Sequence, residues 1–409
     1  MLTFTKAVDP SLQEPVSPEV QAQVILSCHQ TLIYLGDLFR YRAAEKLDKV
    51  PDWGPAIGYY ALAIALRPSS GMAFHQQSVV AFEQGDYLRS TYYLYRAIVV
   101  TEPHPNATAN LELQFKKITA GWDRGELIPK HSPSDRSASR KALISWFVRF
   151  HSMCYRGQHF SQYEELEKEV LSRVAYELKK RTLEGILSKM VFINVAAQAT
   201  ATTRFQSKPD AGEALQAYSF FLRLNVKFFA TLLDTFREDV QDHYGQDQRP
   251  GTEQPLAKHV SDQARHVLPC LCLYSAWLLS NADVIAARGV YDATLLKAID
   301  QFWKSYTATL SAMADAFPIR ELPDVSYQLE EDVDAFGFMP LVSDNTQKLW
   351  HDAENAGLKP KFSDLNLCRL DPNAEMLGRV RRLLMDGLHL AAVEEVCVSP
   401  SIDYCKGEG

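Results

Sequence analysis

Hydrophobic positions recur at helical spacing along nearly the whole chain. In the first such segment, Ser17-Pro18 has the form of a helix N-cap followed by proline at the first helical position. The apolar residues that recur behind it, and that we expect to form its buried stripe, are Leu32, Leu35, Leu38 and Phe39. The alternating pattern of β-strands does not recur downstream. The pattern therefore predicts an all-α fold.

An internal repeat follows the first helix. The segment AIGYYALAIALRP from Ala56 aligns with STYYLYRAIVVTEP from Ser90 at an offset of 34 residues, which is the period of tetratricopeptide repeats. Gly85-Asp86-Tyr87 has the composition of the turn between two helices, and a proline ends each second helix. The repeat predicts antiparallel helices within residues 56–68 and 74–103.

The rest of the pattern divides the chain further. We predict helical repeats over 17–120, a polar linker over 121–139 and a helical-hairpin domain over 140–320. A C-terminal segment with shorter helices covers 321–395, and a flexible tail covers 396–409.

The composition of the chain argues against several classes of function. The formal net charge is −7 and 46% of residues are hydrophobic, which argues against a protein that grips nucleic acid over its whole surface. The seven cysteines include no pair of CxxC motifs, so a zinc site is not indicated, and reduced thiols in the nucleus or cytoplasm are expected. The longest apolar run, 267–279, is shorter than the roughly 20 residues of a membrane span, so no membrane association is expected.

No catalytic set is visible in the sequence. It contains no glycine-rich phosphate loop, no GxSxG and no HExxH, and His259 and His266 lack a third ligand on their helix face. The acidic run LEEDVD at 329–334 could hold magnesium, but a solvated acidic face is the favoured interpretation. We predict no enzymatic activity, no cofactor and no metal.

The segment YLGDLFRYR, residues 34–42, suggests a different chemistry. Arg40 and Tyr41 lie off the apolar stripe, and Asp37 is placed at i−3 and i−4 from them, where it can orient both. An arginine fork beside a tyrosine hydroxyl suits a phosphate group. Arg42 is expected to point toward the apolar stripe, as a structural residue or in a pair between helices. The alternative is a plain surface pair between Asp37 and Arg40, worth less than about 1 kcal/mol.

Several stretches together resemble the Est-type DNA/RNA-binding domain family, which includes telomerase-associated Est proteins and the SMG adaptors of nonsense-mediated mRNA decay. The stretches are GDLFRYR, YYALAIALRPSSGMAFHQQSVVAFEQGDYLRSTYYLYRAIV, ATANLELQF, EEDVDAFGFMPL and RVRRLLMDGLHLA. The resemblance covers about residues 20–395. It implies a 14-3-3-like helical domain with tetratricopeptide-like helices, followed by a helical-hairpin domain. It also implies that Arg40 and Tyr41 contact phosphoserine.

The sequence departs from the family pattern in two places. The family pocket also draws basic residues from earlier helices, and only about 16 residues precede the first helix here. We therefore expect a half-built phosphate pocket, through either a truncated gene model or a real loss, with Lys46, Lys49 and Arg89 as candidate substitute cations. The family's His-Asn-Gln-Leu reads His-Gln-Gln-Ser at 75–78.

The resemblance implies a non-enzymatic adaptor in mRNA surveillance or telomere maintenance. Its expected partners are a phosphorylated protein, with an RNA helicase of mRNA surveillance as one candidate, or the telomerase ribonucleoprotein. Nucleic-acid contact is expected to be weak and local, around Arg136, Arg140 and Lys141. The alternative is a general tetratricopeptide-type scaffold that binds peptides without recognising phosphate.

Overall fold

The structure is a computed structural model that describes residues 17–45, 50–127, 138–180, 183–209, 211–247, 254–287, 291–352 and 357–392. Its helices are α1 (Pro18–Ala44), α2 (Gly54–Leu66), α3 (Gly71–Glu83), α4 (Tyr87–Ile98), α5 (Ala107–Asp123), α6 (Ala138–Arg156), α7 (Tyr163–Lys180), α8 (Leu187–Ser207), α9 (Gly212–Asp247), α10 (Asp262–Arg265), α11 (Leu268–Ala286), α12 (Ala293–Ala316), α13 (Glu330–Ala335) and α14 (Pro372–Ala392). Short 3-10 turns lie at Leu256–His259, Ile319–Glu321, Met339–Leu341 and Gln347–Leu349. The described residues contain isolated β-bridges but no sheet, which confirms the predicted fold class.

The N-terminal signal of α1 is confirmed, but its buried face differs from the predicted stripe. The Ser17 side chain accepts a hydrogen bond from the backbone N–H of Val20, and Pro18 opens the helix. The residues of α1 that are buried against α2 and α3 are His29, Ile33, Gly36 and Ala43. Leu38 is 64% exposed, so its placement in the buried stripe was wrong. Arg42 is also exposed and does not point toward the core, because the buried face of α1 runs through Ile33, Gly36 and Ala43 and not through the predicted stripe.

The helices α2 to α5 form the array that the 34-residue offset predicted. Residues at matching repeat positions are equally buried, as Ala63 and Ala97 show in α2 and α4. Gly85 has a φ of 72°, a conformation that favours glycine, and the Asp86 side chain caps α4 by accepting from the backbone N–H of Arg89.

A single large core continues from the array into the second half of the chain. Buried residues of α4 and α5, such as Leu94 and Phe115, belong to the same cluster as those of α8, α9, α11 and α12. The predicted boundary at residue 120 is therefore not a break in packing. Of the predicted linker, residues 121–123 still belong to α5, and 128–137 lie outside the described residues. By length and composition alone, the stretch Asp262–Ala286 could cross a membrane, but most of it is buried inside this core.

The acidic run at 329–334 is solvated only at Glu330 and Asp334, and the interpretation as a solvated face was wrong for Glu331 and Asp332. Glu331 accepts two hydrogen bonds of 2.8 Å from Arg379, and Asp332 accepts one of 2.6 Å from Arg382. Both carboxylates are buried. Buried charges are retained when they are paired and hydrogen-bonded, and the basic run of α14 supplies the partners. These ion pairs fasten α13 to α14.

The GFMPL segment, residues 337–341, follows α13. Together with the end of α13, it joins the helical array to the larger core. Arg96 of α4 donates a 2.7 Å hydrogen bond to the backbone oxygen of Asp334, and its guanidinium lies 5.2 Å from the centre of the Phe338 ring. The backbone N–H of Met339 donates to the Val99 oxygen at 3.1 Å. Because these contacts span the two halves of the chain, this segment has a clear structural role.

Candidate phosphate-binding site

The site centres on the last two turns of α1, where Gly36 lets α2 approach closely. A Cβ built on Gly36 would overlap the ring of Tyr60, so only glycine leaves room for that ring. The Tyr60 hydroxyl donates a 2.7 Å hydrogen bond to Asp37 Oδ1. It also accepts from Arg40 Nε at 3.3 Å. The Gly36-Asp37 pair thus ties α1 to α2 at the position of Arg40.

Arg40 is held on two sides by this network. Its Nη2 lies 3.4 Å from Asp37 Oδ1, and the arginine and aspartate side chains are only 15% and 20% exposed. Burial alone lowers the pKa of Arg40, but hydrogen bonds to Tyr60 and Tyr41 and the charge of Asp37 outweigh it, so the net shift is upward. Arg40 is therefore a fixed cation with limited access to solvent.

Tyr41 is positioned by Arg40. The Arg40 guanidinium lies over the Tyr41 ring, 4.3 Å from its centre, which is a cation–π contact. Tyr41 is 55% exposed. Asp37 contacts Arg40 and Tyr60, and its hydrogen bonds do not extend to Tyr41. The arrangement therefore presents a tyrosine to solvent with a half-buried arginine behind it.

Of the three candidate substitute cations, the structure describes the contacts of Arg89. Lys46 and Lys49 lie outside the described residues. Arg89 stands at the start of α4, where it lies 4.0 Å from Asp86 and donates to Gln84 at 3.4 Å. Its role in a phosphate pocket therefore remains a prediction.

Two residues near the site were missed in the sequence. Tyr60 completes the network from α2, and its burial, together with the Asp37 hydrogen bond, raises its pKa above the ordinary value. His75 of α3 stacks on His104 with ring centres 3.7 Å apart. Burial, His104 and the charge of Arg40 lower the pKa of His75 to about 4. The family tetrapeptide at 75–78 was a usable signal for His75, whereas Tyr60 carried no local signal because its partners are on another helix.

The titratable side chains of the described residues are not arranged as a metal site. Among the described residues, no three His, Cys, Asp or Glu side chains are grouped as metal ligands would be. The buried His151 hydrogen-bonds Asn194 and stacks among aromatic rings, as a core histidine does. What the site around Arg40 can do chemically is donate hydrogen bonds and positive charge to an anion.

The sequence matches two models of known protein families. Residues 56–345 match the Est1 DNA/RNA binding domain, and residues 3–46 match the family described as telomerase activating protein Est1. Among curated proteins, 120 residues are 37% identical to nonsense-mediated mRNA decay factor SMG7 of Arabidopsis thaliana, which is 29% of this chain and 11% of that protein. A second similarity, 30% over 159 residues, is to nonsense-mediated mRNA decay factor SMG5 of Danio rerio, covering 37% of this chain and 14% of that protein.

Solved structures show the same fold at low sequence identity. A crystal structure of Est1 and Cdc13 matches with a TM-score of 0.71 at 15% identity, over 96% of this chain and 73% of the solved one. The C. elegans SMG5-SMG7 complex matches with a TM-score of 0.50 at 14% identity, over 92% and 72% of the two chains. The segments matched in the curated relatives are only about a tenth of each relative's length. The domain match covers most of the chain, so the chain belongs to the Est1 DNA/RNA binding domain family.

Proposed function

We propose that the protein is a non-enzymatic adaptor that binds a phosphorylated partner through Arg40 and Tyr41, in the nucleus or cytoplasm. The observation that supports it most directly is the fixed position of Arg40 between Asp37 and Tyr60, with its guanidinium over the exposed Tyr41 ring. A preorganised cation loses little conformational entropy on binding an anion. The names of the relatives, which include mRNA decay factors and Est1, support a role in mRNA surveillance or telomere maintenance.

The same network limits the affinity we expect. Arg40 already faces the charge of Asp37 at 3.4 Å, so a phosphate has to share this cation. A hydrogen bond between charged groups contributes about 1.5–3 kcal/mol, and a phosphate carries close to two negative charges. We expect dissociation constants for an isolated phosphopeptide to be micromolar or weaker, on the order of −8 kcal/mol at best.

The decisive measurement is calorimetry with a phosphoserine peptide and its unphosphorylated twin. Arg40→Gln should reduce the preference for the phosphorylated peptide by roughly tenfold or more, because it removes the cation. Tyr41→Phe keeps the ring under the guanidinium and removes only the hydroxyl, so it should give a smaller loss. Arg42→Gln is the matched control, since it removes an adjacent but outward-pointing arginine of the same helix.

Arg40 also contacts Asp37 and Tyr60, so the melting temperature of each variant must be measured alongside binding. A folded Arg40→Gln variant that keeps the full phosphate preference would place the site elsewhere. Equal affinity of the wild type for both peptides would favour the second candidate.

The second candidate is a peptide-binding scaffold without phosphate recognition. A groove of about 190 Å³ lies between α3 and α5, with Val79, Phe82 and Leu113 among its lining residues. Leu113 is 52% exposed there, as a residue that contacts a peptide side chain would be. Leu113→Lys should abolish phosphate-independent binding if this groove is used.

A further inference from the structure

A concave groove lies between α7, α9 and α12 in the second half of the chain. Both α7 and α12 pack on α9, and the residues that line the groove come from these three helices. Its volume is about 720 Å³, within the roughly 300–1,000 Å³ of pockets that hold small ligands. As far as the structure describes its lining, no residue of α1 or α2 contributes, so the groove is separate from the candidate phosphate site. It is called the α9 groove below.

The floor of the α9 groove is apolar. Leu171 and Ala175 of α7, Ala230 of α9 and Ala298 of α12 are among its lining residues. Ala230 and Ala298 are buried, and their small side chains leave open the space between the three helices. This floor can therefore contact the apolar body of a ligand, as the lining of most ligand pockets does.

The α9 groove also carries an excess of positive charge. Its basic lining residues are Lys168, Arg223, Lys227 and Lys297, and its acidic ones are Glu164, Glu167 and Asp234. Asp234 is paired at 2.9 Å with Arg237, which is outside the lining, so its charge is already balanced. Glu164 is 78% exposed and lies 3.8 Å from Arg223, where water screens its charge.

At the centre of the α9 groove, two cations share one buried carboxylate. Glu167 is 2% exposed, and its Oε2 accepts hydrogen bonds from Arg223 Nη2, at 2.7 Å, and from Lys227 Nζ. Its Oε1 accepts from the Tyr163 hydroxyl at 3.1 Å. One cation is enough to balance a buried carboxylate, and Arg223, with only 12% of its side chain exposed, supplies it. The charge of Lys227, which is 32% exposed, is therefore left to face the groove.

Lys227 has the properties of an anchor for a carboxylate. An ammonium group has three N–H donors, and the hydrogen bond to Glu167 uses one of them. Because Glu167 holds this ammonium in place, Lys227 loses little conformational entropy when it binds an anion. A carboxylate matches the one charge that is in excess, whereas a phosphate would bring close to two negative charges near the buried Glu167.

We propose that the α9 groove binds a ligand that carries a carboxylate on a small apolar body. The carboxylate accepts hydrogen bonds from Lys227, and the body packs on the alanines of the floor. Lys168 and Lys297, which are exposed on α7 and α12, add positive charge around the anion. A free organic acid and the acidic side chain of a peptide present this same chemistry.

Calorimetry with octanoate, and with octan-1-ol as its uncharged counterpart, tests the site. The wild type should bind octanoate with a dissociation constant of about 1 mM or lower. It should bind octan-1-ol roughly tenfold more weakly, because a hydrogen bond between charged groups is absent. Lys227→Met removes the ammonium but leaves Arg223 to balance Glu167, so it should cause a similar loss of octanoate affinity. Lys179→Met is the matched control, since Lys179 of α7 pairs with Glu238 outside the groove, and it should leave binding unchanged.

A second variant tests the floor without changing charge. Ala175→Leu places a larger side chain in the groove and should also weaken octanoate binding, because it fills part of the volume. Circular dichroism and the melting temperature of each variant show whether it is folded. A folded Lys227→Met variant that keeps the octanoate affinity, or a wild type that binds octan-1-ol equally well, overturns the proposal. So does a wild type that binds neither. Preference for a phosphopeptide through Arg40 should persist in Lys227→Met, so the two sites are tested independently.

A pair of peptides distinguishes the two sources of the carboxylate. One is a capped pentapeptide with a single glutamate among four alanines, and the other has glutamine in place of the glutamate. Tighter binding of the glutamate peptide than of octanoate assigns the groove to an acidic peptide segment, and the reverse order assigns it to a free organic acid. A glutamine peptide that binds as tightly as the glutamate peptide contradicts recognition of the carboxylate.

Discussion

At the scale of single residues, the core contains a histidine that must stay neutral. His151 of α6 is fully buried, its ring packs against Phe147 and Phe221, and its Nε2 lies 2.8 Å from Asn194 Oδ1. Burial lowers its pKa to about 4, although the Asn194 contact opposes the shift. The folded protein therefore resists protonation of this side chain.

This lowered pKa predicts a loss of stability in mild acid. Between about pH 6.5 and pH 4 the unfolded chain takes up a proton on His151 that the folded chain refuses, so the free energy of unfolding falls as the pH falls. From pH 7 to pH 5 this histidine should account for about 1–2 kcal/mol. Urea unfolding over that range measures the slope. His151→Gln should reduce it, and an unchanged slope in the variant would contradict the assignment.

The residues of the candidate site were predictable only where their partners are close in sequence. The Asp37–Arg40 pair follows from a spacing of three on one helix, and the structure contains it. Tyr60 is 23 residues from Asp37, and its role depends on the close approach that Gly36 permits. Leu38 was misplaced because helical spacing alone cannot tell a buried apolar stripe from an exposed one.

At the scale of elements, Gly337 fixes how the GFMPL segment meets the helical array. Its φ is 76°, and a Cβ there would lie 2.8 Å from the backbone oxygen of Pro68. Gly85 has nearly the same φ of 72°, but a Cβ there would meet nothing within 4 Å. Alanine substitutions at the two glycines therefore distinguish two effects on stability, the positive φ at both positions and the steric crowding at Gly337.

We expect Gly85→Ala to lower the free energy of unfolding by about 1–2 kcal/mol, the usual penalty for a side chain at positive φ. Gly337→Ala should lower it by about 1–3 kcal/mol more, because the methyl group meets rigid backbone. Urea denaturation of the two variants, followed by circular dichroism, measures both. Equal losses in the two variants would show that the contact with Pro68 can relax.

Elements with a local periodic signal were the predictable part of the fold. The 34-residue offset located α2 and α4, because repeated helices bury equivalent positions. The acidic run at 329–334 was misread because its partners, Arg379 and Arg382, are about 50 residues away. Pairing across such distances leaves no periodic trace in a single sequence.

At the scale of the whole molecule, the negative net charge limits the affinity for nucleic acid. The chain has 43 basic and 50 acidic residues, and several arginines are committed to ion pairs within the protein, with α13 and within α1. Membership in a DNA/RNA binding domain family therefore does not by itself predict tight binding. The sequence-based candidates for a local contact are Arg140 and Lys141 at the start of α6, and Arg136, which lies outside the described residues.

We expect the chain to bind single-stranded RNA weakly and through few phosphates. If these three cations carry the contact, the slope of log affinity against log salt should be about −2, so affinity should fall roughly 20-fold between 50 and 200 mM salt. Fluorescence anisotropy with a labelled RNA measures this slope. Replacing Arg136, Arg140 and Lys141 by glutamine should flatten it, whereas Arg42→Gln, which removes one outward-pointing arginine of α1, should not. Sub-nanomolar binding that persists in the triple variant would contradict this prediction. It would mean that a different surface binds the RNA despite the net charge of −7.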